Sequence, residues 1–273
     1  MLMTIPTTGR CCVDKPMDQV KPGCEPLEAE GFGPAARTGV VLVHGFTGSP
    51  DSTRPWAQYL NERGYTVNAL RLPGHGTTWQ DASTKTHADL QSAVDRAFAE
   101  MLARTDRVFL MAQSFGCTLA LRVAADRPEE VAGMVLVNPW VRPDGVAGWQ
   151  RHLVPIQRFL PLLVKSVPGV ASDIANPKST ELGYERIPIS LAVDLAKGWN
   201  QLRPIMDRVS APILLYRSVV DHVLSPNNSE LIRAKVRSTL QEVELHRSFH
   251  VATLDYDAEA VFAGSVDFIE THS

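Results

Sequence analysis

From residue 39 onward the chain alternates short apolar runs with longer stretches of helical spacing. Gly39-Val40-Val41-Leu42-Val43 reads as a buried strand, a helix is expected around 55–63, and residues 65–70 form the next strand. A long helix is predicted near 87–104, with Leu90, Val94, Ala97, Phe98, Met101 and Leu102 on one face and Thr86 with Asp89 as a capping box. Strand 107–112, helix 115–126 and strand 131–137 follow. The rhythm then stops, and it resumes with strand 212–218, the alternating run Glu242-Val243-Glu244-Leu245-His246 and a final helix over about 256–270. Strands interleaved with helices predict an α/β fold: a mostly parallel sheet covered on both faces, whose ligands sit at the carboxyl ends of the strands.

This rhythm divides the chain into a leader and early strand region (1–38), a core made of 39–139 and 206–273, and an insertion over 140–205. The insertion is too long for a bare loop and is read as a small lid. Its stretch Arg151–Lys165 is rich in large apolar side chains with sparse basic ones, and its prolines argue against one continuous amphipathic helix. Trp140, Leu153, Ile156, Phe159 and Leu160 are the candidate lining of an apolar substrate pocket. Trp149 and Trp199 join Trp140 as candidates for its entrance. The same residues could instead pack on the core, and an exposed apolar lid face could touch a lipid surface.

Candidate chemistry sits where strand 107–112 ends. In Ala112-Gln113-Ser114-Phe115-Gly116 an apolar strand breaks into a serine between small residues, just before a helix. A sharp strand-to-helix turn exposes one hydroxyl at the tip of a sheet, and the helix N-terminus favours negative charge there. An ordinary serine at a helix N-cap is the alternative. A nucleophilic serine needs a base, and the base needs an orienting acid. Asp221 sits just past the strand over 212–218, and His250 lies on the loop behind the alternating run, so the chain order is Ser, Asp, His. Either residue could be no more than a loop side chain. Among competing histidines, His246 is expected in the strand, His222 is expected to point away from the acid, and His75 in Leu72-Pro73-Gly74-His75-Gly76-Thr77 reads as a loop organiser. Two backbone N–H groups should hold the developing oxyanion. Phe115, directly after the serine, is one candidate; Phe46, in His44-Gly45-Phe46-Thr47-Gly48, is the other. The glycine spacing of that loop fits neither a dinucleotide nor a P-loop motif.

The segments His44-Gly45-Phe46-Thr47-Gly48-Ser49, Arg71-Leu72-Pro73-Gly74-His75-Gly76-Thr77, Asp221–Ser229 and His250-Val251-Ala252-Thr253-Leu254-Asp255 resemble, in register over nearly all of 38–270, bacterial carboxylesterases and monoacylglycerol lipases of the α/β-hydrolase superfamily. The resemblance implies an α/β-hydrolase fold with an inserted lid, Ser114 as nucleophile, Asp221 as acid, His250 as base, and Phe46 with Phe115 as oxyanion donors. It implies hydrolysis of short or medium acyl esters, including monoacylglycerols, through an acyl-enzyme and without a cofactor or metal. Ala112 departs from the usual first glycine of the elbow, and Cys117 from a small residue in the next helix. An acyltransferase or thioesterase with the same triad, and a non-catalytic ligand-binding homologue, are the rival readings.

Composition narrows the setting. The 273 residues are 44% hydrophobic, enough for one large core. The net charge of −3 provides no basic field for nucleic acid. No 18-residue uncharged apolar run and no signal-peptide pattern occur, so a cytoplasmic location without a transmembrane segment is expected. Of the four cysteines, Cys11, Cys12 and Cys24 fall in a Pro-rich leader without metal-site spacing. Cys117 reads as a packing residue that could make the enzyme sensitive to thiol reagents.

Overall fold

The computed structural model describes residues 18–143, 164–169 and 172–273. Nine strands are present among these residues: β1 (Leu27–Ala29), β2 (Thr38–Val43), β3 (Thr66–Leu70), β4 (Arg107–Gln113), β5 (Val131–Val137), β6 (Ser166–Pro168), β7 (Arg186–Pro188), β8 (Ile213–Ser218) and β9 (Leu240–Leu245). The helices are α1 (Arg54–Asn61), α2 (Trp79–Ala82), α3 (His87–Leu102), α4 (Phe115–Asp126), α5 (Ile189–Leu202), α6 (Asn227–Lys235) and α7 (Ala258–Thr271).

Seven strands form one sheet in the order β1-β3-β2-β4-β5-β8-β9. All neighbours pair in parallel except the short edge strand β1, which runs antiparallel to β3. Alternation along each strand sends side chains to opposite faces. Val41, Val43, Leu110, Ala112, Leu136 and Leu215 pack into one core with α3, α4 and α5. Val40, Leu42, Phe109, Met111, Val135 and Leu214 pack into a second core with α1 and α7. The crossovers therefore leave the carboxyl ends of β2, β4, β5, β8 and β9 along one edge, where the loops after them meet. The capping box is present at the start of α3: Thr86 Oγ1 accepts the Asp89 N–H, and Asp89 accepts the Thr86 N–H.

Two expectations change here. β9 ends at Leu245, so His246 lies past the strand as an exposed residue instead of facing across the sheet. Within the insertion, β6 and β7 form an antiparallel pair and α5 packs with α4 in the first core. Leu191, Leu195, Trp199 and Leu202 occupy the buried face of α5. Trp199 is thus a core residue, 2% exposed, with its indole N–H donating to the Trp140 carbonyl at 3.2 Å. It does not line an entrance. Leu153, Ile156, Phe159 and Leu160, with Trp149, lie outside the described residues.

Candidate active site

Ser114 is the single residue between β4 and α4, held at φ +53°, ψ −121°. For a residue with a Cβ this region costs of order 1–3 kcal/mol, so its neighbours must enforce it. The Ser114 N–H donates to the Val137 carbonyl at 3.0 Å, and the Ser114 carbonyl accepts the N–H groups of Cys117 at 3.1 Å and Trp140 at 3.0 Å. Gly116 lets α4 come close to β2: a Cβ there would stand 2.4 Å from the Val43 carbonyl oxygen. Ala112 is accommodated without exposure. The Ser114 side chain makes no capping bond. Cys117 Sγ lies 3.2 Å from the Ala112 carbonyl oxygen, fully buried, and burial pushes its thiol pKa strongly upward. A thiolate there is neither formed nor reachable, which corrects the expected sensitivity to thiol reagents.

The Ser114 hydroxyl instead meets His250 Nε2 at 3.0 Å, and His250 Nδ1 meets Asp221 Oδ2 at 2.8 Å. Because an ionised carboxylate only accepts, Nδ1 carries the proton and Nε2 is left to accept from the serine. The other Asp221 oxygen accepts the N–H groups of Val223 and Leu224, each at 2.8 Å. Burial opposes the Asp221 charge, but His250 and these N–H donors outweigh it and hold the carboxyl below its ordinary range. Burial likewise disfavours a charged His250. Asp221, by charge and hydrogen bond, then Glu181 and Asp173 reverse that and raise its pKa above the usual histidine value. Ser114 and His250 are only 8% and 6% exposed, so the proton path is sheltered from bulk water.

The histidine loop is pinned from the sheet by Asn138, just past β5 and itself left-handed at φ +44°. Asn138 Nδ2 donates to Ser218 Oγ at 2.9 Å and to the His250 carbonyl at 2.8 Å, while its Oδ1 accepts the Ser218 N–H at 2.7 Å. Thr253 donates to the Gln113 side chain next to Ser114. The rival histidines lie elsewhere. His222 Nδ1 bonds Asp173 at 2.8 Å, His246 sits 3.8 Å from Glu244, and His75 Nδ1 bonds the Pro73 carbonyl at 3.0 Å inside its loop.

Phe46, on the loop after β2, and Phe115, the first residue of α4, flank the serine. A Cβ on Gly45 would stand 3.1 Å from Ser114 Cβ, so the residue before Phe46 abuts Ser114. Neither amide N–H of Phe46 or Phe115 is paired with another described residue. His44, which sequence reading left without a role, shapes this loop. Its Nε2 accepts the Leu72 N–H at 3.1 Å, so Nδ1 carries the proton and donates to the Gly45 carbonyl at 2.9 Å. Burial first, then the neighbouring His75, pulls the His44 pKa down to about 3. It therefore stays neutral and keeps this tautomer.

Trp140 lies beside Ser114, its ring centroid 6.4 Å from Phe46 and 6.0 Å from Phe115. Glu181 is the second residue that sequence reading missed. It is half-buried and lines, with Thr47, Ser172, Gly183 and Tyr184, a cavity of about 380 Å³. Desolvation pushes its carboxyl up to about 7, against the opposing effects of His250 and a hydrogen bond from Ser52. Residues 172–184 carry no hydrophobic period that would have singled it out.

The sequence profile of the Hydrolase_4 family, described as serine aminopeptidase S33, matches residues 34–255. The chain belongs to this family. A thermostable monoacylglycerol lipase of Bacillus sp. (strain H-257) is 36% identical to this Hydrolase_4 member over 252 residues, 92% of this chain and 96% of the lipase. A carboxylesterase of Bacillus subtilis (strain 168) is 23% identical over 238 residues, 85% of this chain and 92% of the esterase. A solved structure from the work on the metagenome-derived lipolytic enzymes LipS and LipT superposes with a TM-score of 0.85 at 34% identity, covering 93% of this chain and all of that one. The monoacylglycerol lipase of Paleococcus ferrophilus superposes at a TM-score of 0.71 and 21% identity, a likeness of fold. The fold of this Hydrolase_4 chain is that of the α/β-hydrolases. Among its described residues no cluster of three metal-ligating side chains occurs, and no helix is long and apolar enough to cross a membrane.

Proposed function

We propose that Ser114, His250 and Asp221 carry out ester hydrolysis in two half-reactions, with monoacylglycerols of short or medium acyl length as substrate class. The chain is a carboxylic ester hydrolase, and the observation that carries the mechanism is the unbroken relay of 3.0 Å and 2.8 Å contacts from a strained serine to an acid whose side chain is 10% exposed. His250 Nε2 takes the Ser114 proton as Oγ attacks the ester carbonyl. The N–H groups of Phe46 and Phe115 receive the oxyanion, each worth about 3–4 kcal/mol of barrier. His250 then returns the proton to the departing alkoxide, leaving an acyl group on Ser114. Water, deprotonated by the same imidazole, attacks that acyl group; the collapsing intermediate expels Oγ, which recovers its proton from His250.

The monoacylglycerol reading draws on the relative at 36% identity and on the chemistry beside the histidine. A glycerol leaving group carries two free hydroxyls that need acceptors once buried, and Glu181 supplies a carboxyl within electrostatic reach of His250. Trp140 and the apolar stretch 151–165 suit the acyl chain or a lipid surface that presents it. A cytoplasmic site of action belongs to the same reading, and the free thiols Cys24 and Cys117 suit a reducing compartment.

Fluorophosphonate labelling read by intact mass, together with turnover of 1-monoacylglycerols and p-nitrophenyl esters of graded length, tests this. One label on Ser114, a chain-length optimum, and a loss of at least about 10⁴-fold in kcat for Ser114→Ala are expected. Turnover retained by Ser114→Ala would overturn the mechanism. Hydrolysis of the p-nitrophenyl esters without any of the monoacylglycerols would overturn the substrate class alone.

A further inference from the structure

Asn138 holds the histidine loop from the sheet; on the opposite side the loop meets the insertion. The carboxylate of Asp173, whose side chain is only 11% exposed, accepts three N–H donors. Its Oδ2 takes the main-chain N–H of His222 at 3.1 Å and that of His250 at 3.2 Å. Its Oδ1 takes the His222 ring Nδ1–H at 2.8 Å. The Asp173 carbonyl accepts the Val251 N–H at 3.0 Å. His222 directly follows Asp221, so one carboxylate joins the residue after the acid to the base itself. These two loops leave different strands, β8 and β9. The separation and angle between imidazole and acid therefore depend on how the loops are fastened.

We propose that Asp173 is a positioning residue for the triad: from the insertion, it ties the acid-bearing and base-bearing loops together and sets the geometry of the His250–Asp221 pair. It touches no reacting atom and acts through main-chain N–H groups. The proposal rests on the triad reading given above. Charge-assisted bonds to a buried carboxylate are about twice as strong as neutral ones, which makes a carboxylate a better fastener here than a neutral amide. Three carboxylates face His250: Asp221 in contact, then Glu181 and Asp173 at longer range. Asp173 in turn faces the exposed ring of His222. Removing its negative charge favours neutral His250, so the acid limb of the pH profile moves to lower pH as well.

The test compares kcat, KM and the pH dependence of kcat/KM on one p-nitrophenyl ester for the wild type, Asp173→Asn and Asp51→Ala. Asp51 Oδ2 accepts the Leu182 N–H at 3.0 Å, so its loss loosens the same segment at a point away from the triad loops. For Asp173→Asn, kcat falls about tenfold to hundredfold, KM stays within about twofold, and the acid limb shifts downward. For Asp51→Ala the limb stays in place. Wild-type kcat with an unmoved limb in Asp173→Asn would overturn the proposal, as would an equal shift in Asp51→Ala. If Asp173→Asn does not fold, Asp173→Glu carries the test: the charge keeps the limb in place while the longer arm lowers kcat, and wild-type kcat there overturns it. Fluorophosphonate labelling of wild-type Ser114 separates the two levels. A labelled wild type with an indifferent Asp173→Asn removes this proposal only, whereas an unlabelled Ser114 removes the triad reading beneath it.

Discussion

The sheet edge and the insertion build the same site by different physical means. Thr47, Ser114 and Asn138, the non-glycine residues with positive φ among those described, all lie on loops leaving the sheet. There, two packed cores over-determine the backbone enough to hold it in costly conformations. The described part of the insertion carries no such strain: α5 packs into the first core, and the segment before it attaches mainly by hydrogen bonds. Tyr184 donates its N–H to the Thr47 carbonyl and its hydroxyl to the Gly74 carbonyl. Ala175 and Asn176 donate to Asp255, which also accepts the Phe249 N–H beside His250. Asp173 reaches both the acid and the base loops. Rigid geometry comes from the sheet, and charge and fine placement come from the segment laid across it.

Breaking the sheet-side pin should produce the largest effect. Asn138 is 3% exposed, and Asn138→Ala strips the Ser218 N–H and the His250 carbonyl of their buried partner. Unsatisfied groups of this kind cost about 1–3 kcal/mol each, so stability should fall by about 2–4 kcal/mol in urea denaturation. The loosened histidine should lower kcat about a hundredfold. Asp173→Asn, in contrast, should lose kcat with little stability. If Asn138→Ala loses kcat and keeps its urea midpoint, the division of labour between the two regions is wrong.

The two regions should also oppose each other in pH. His44 and His75 are buried neutral in the sheet loops, with pKa values lowered to about 3 and about 4 by desolvation. Unfolding below pH 6.5 lets each take up a proton, so stability drops as pH falls, approaching about 1.4 kcal/mol per pH unit for each histidine. Glu181 in the insertion behaves inversely. Its folded pKa is raised to about 7, so its contribution is complete below the unfolded value of 4.5 and is lost as pH rises toward 7. Between pH 4.5 and 6.5 the two trends partly cancel. Urea midpoints across that range should fall more steeply toward acid in Glu181→Gln than in the wild type, and more gently in His44→Gln. Parallel profiles for all three proteins would remove the opposition.

Glu181 also sharpens the comparison in function. Above pH 7, where the Glu181 carboxyl is ionised, Glu181→Gln should raise KM for a 1-monoacylglycerol about tenfold, by exchanging a carboxylate acceptor of the glycerol hydroxyls for a neutral amide. KM for a p-nitrophenyl ester, which has no such hydroxyls, should stay within about twofold. Equal changes for both substrates would assign Glu181 to His250 alone.

What was legible in the sequence follows the same division. α4 and β5 fall on the residues that periodicity assigned, because both are buried elements with strong local patterns. Ser114, Asp221 and His250 were readable from turn chemistry at strand ends, and the structure brings them within hydrogen-bond distance. Asp173 and Glu181 were not readable, since an isolated acid in an aperiodic stretch acquires a role only from the loops that fold against it. β1 is a three-residue strand in a Pro-rich region whose partner lies about forty positions away. Trp199 was misplaced although a signal existed: Leu191, Leu195, Trp199 and Leu202 repeat at helical spacing, and that face turned inward.

The smallest effect belongs to Cys117, three residues beyond Ser114. Proximity along the chain suggests a vulnerable thiol, but α4 is buried over most of its length and Cys117 is 0% exposed. Its Sγ lies near the carbonyl oxygens of Ala112 and Val137, and burial disfavours its thiolate more strongly than the neighbouring backbone favours it. Alkylation requires both thiolate and access. N-ethylmaleimide should therefore leave esterase turnover within about 10% of its starting value in the folded protein, and mass spectrometry should find Cys117 unmodified until urea unfolds the chain. Rapid modification of Cys117 under native conditions would mean that α4 opens away from the sheet, and the rigid side of the comparison would then fail at its centre, the nucleophile elbow.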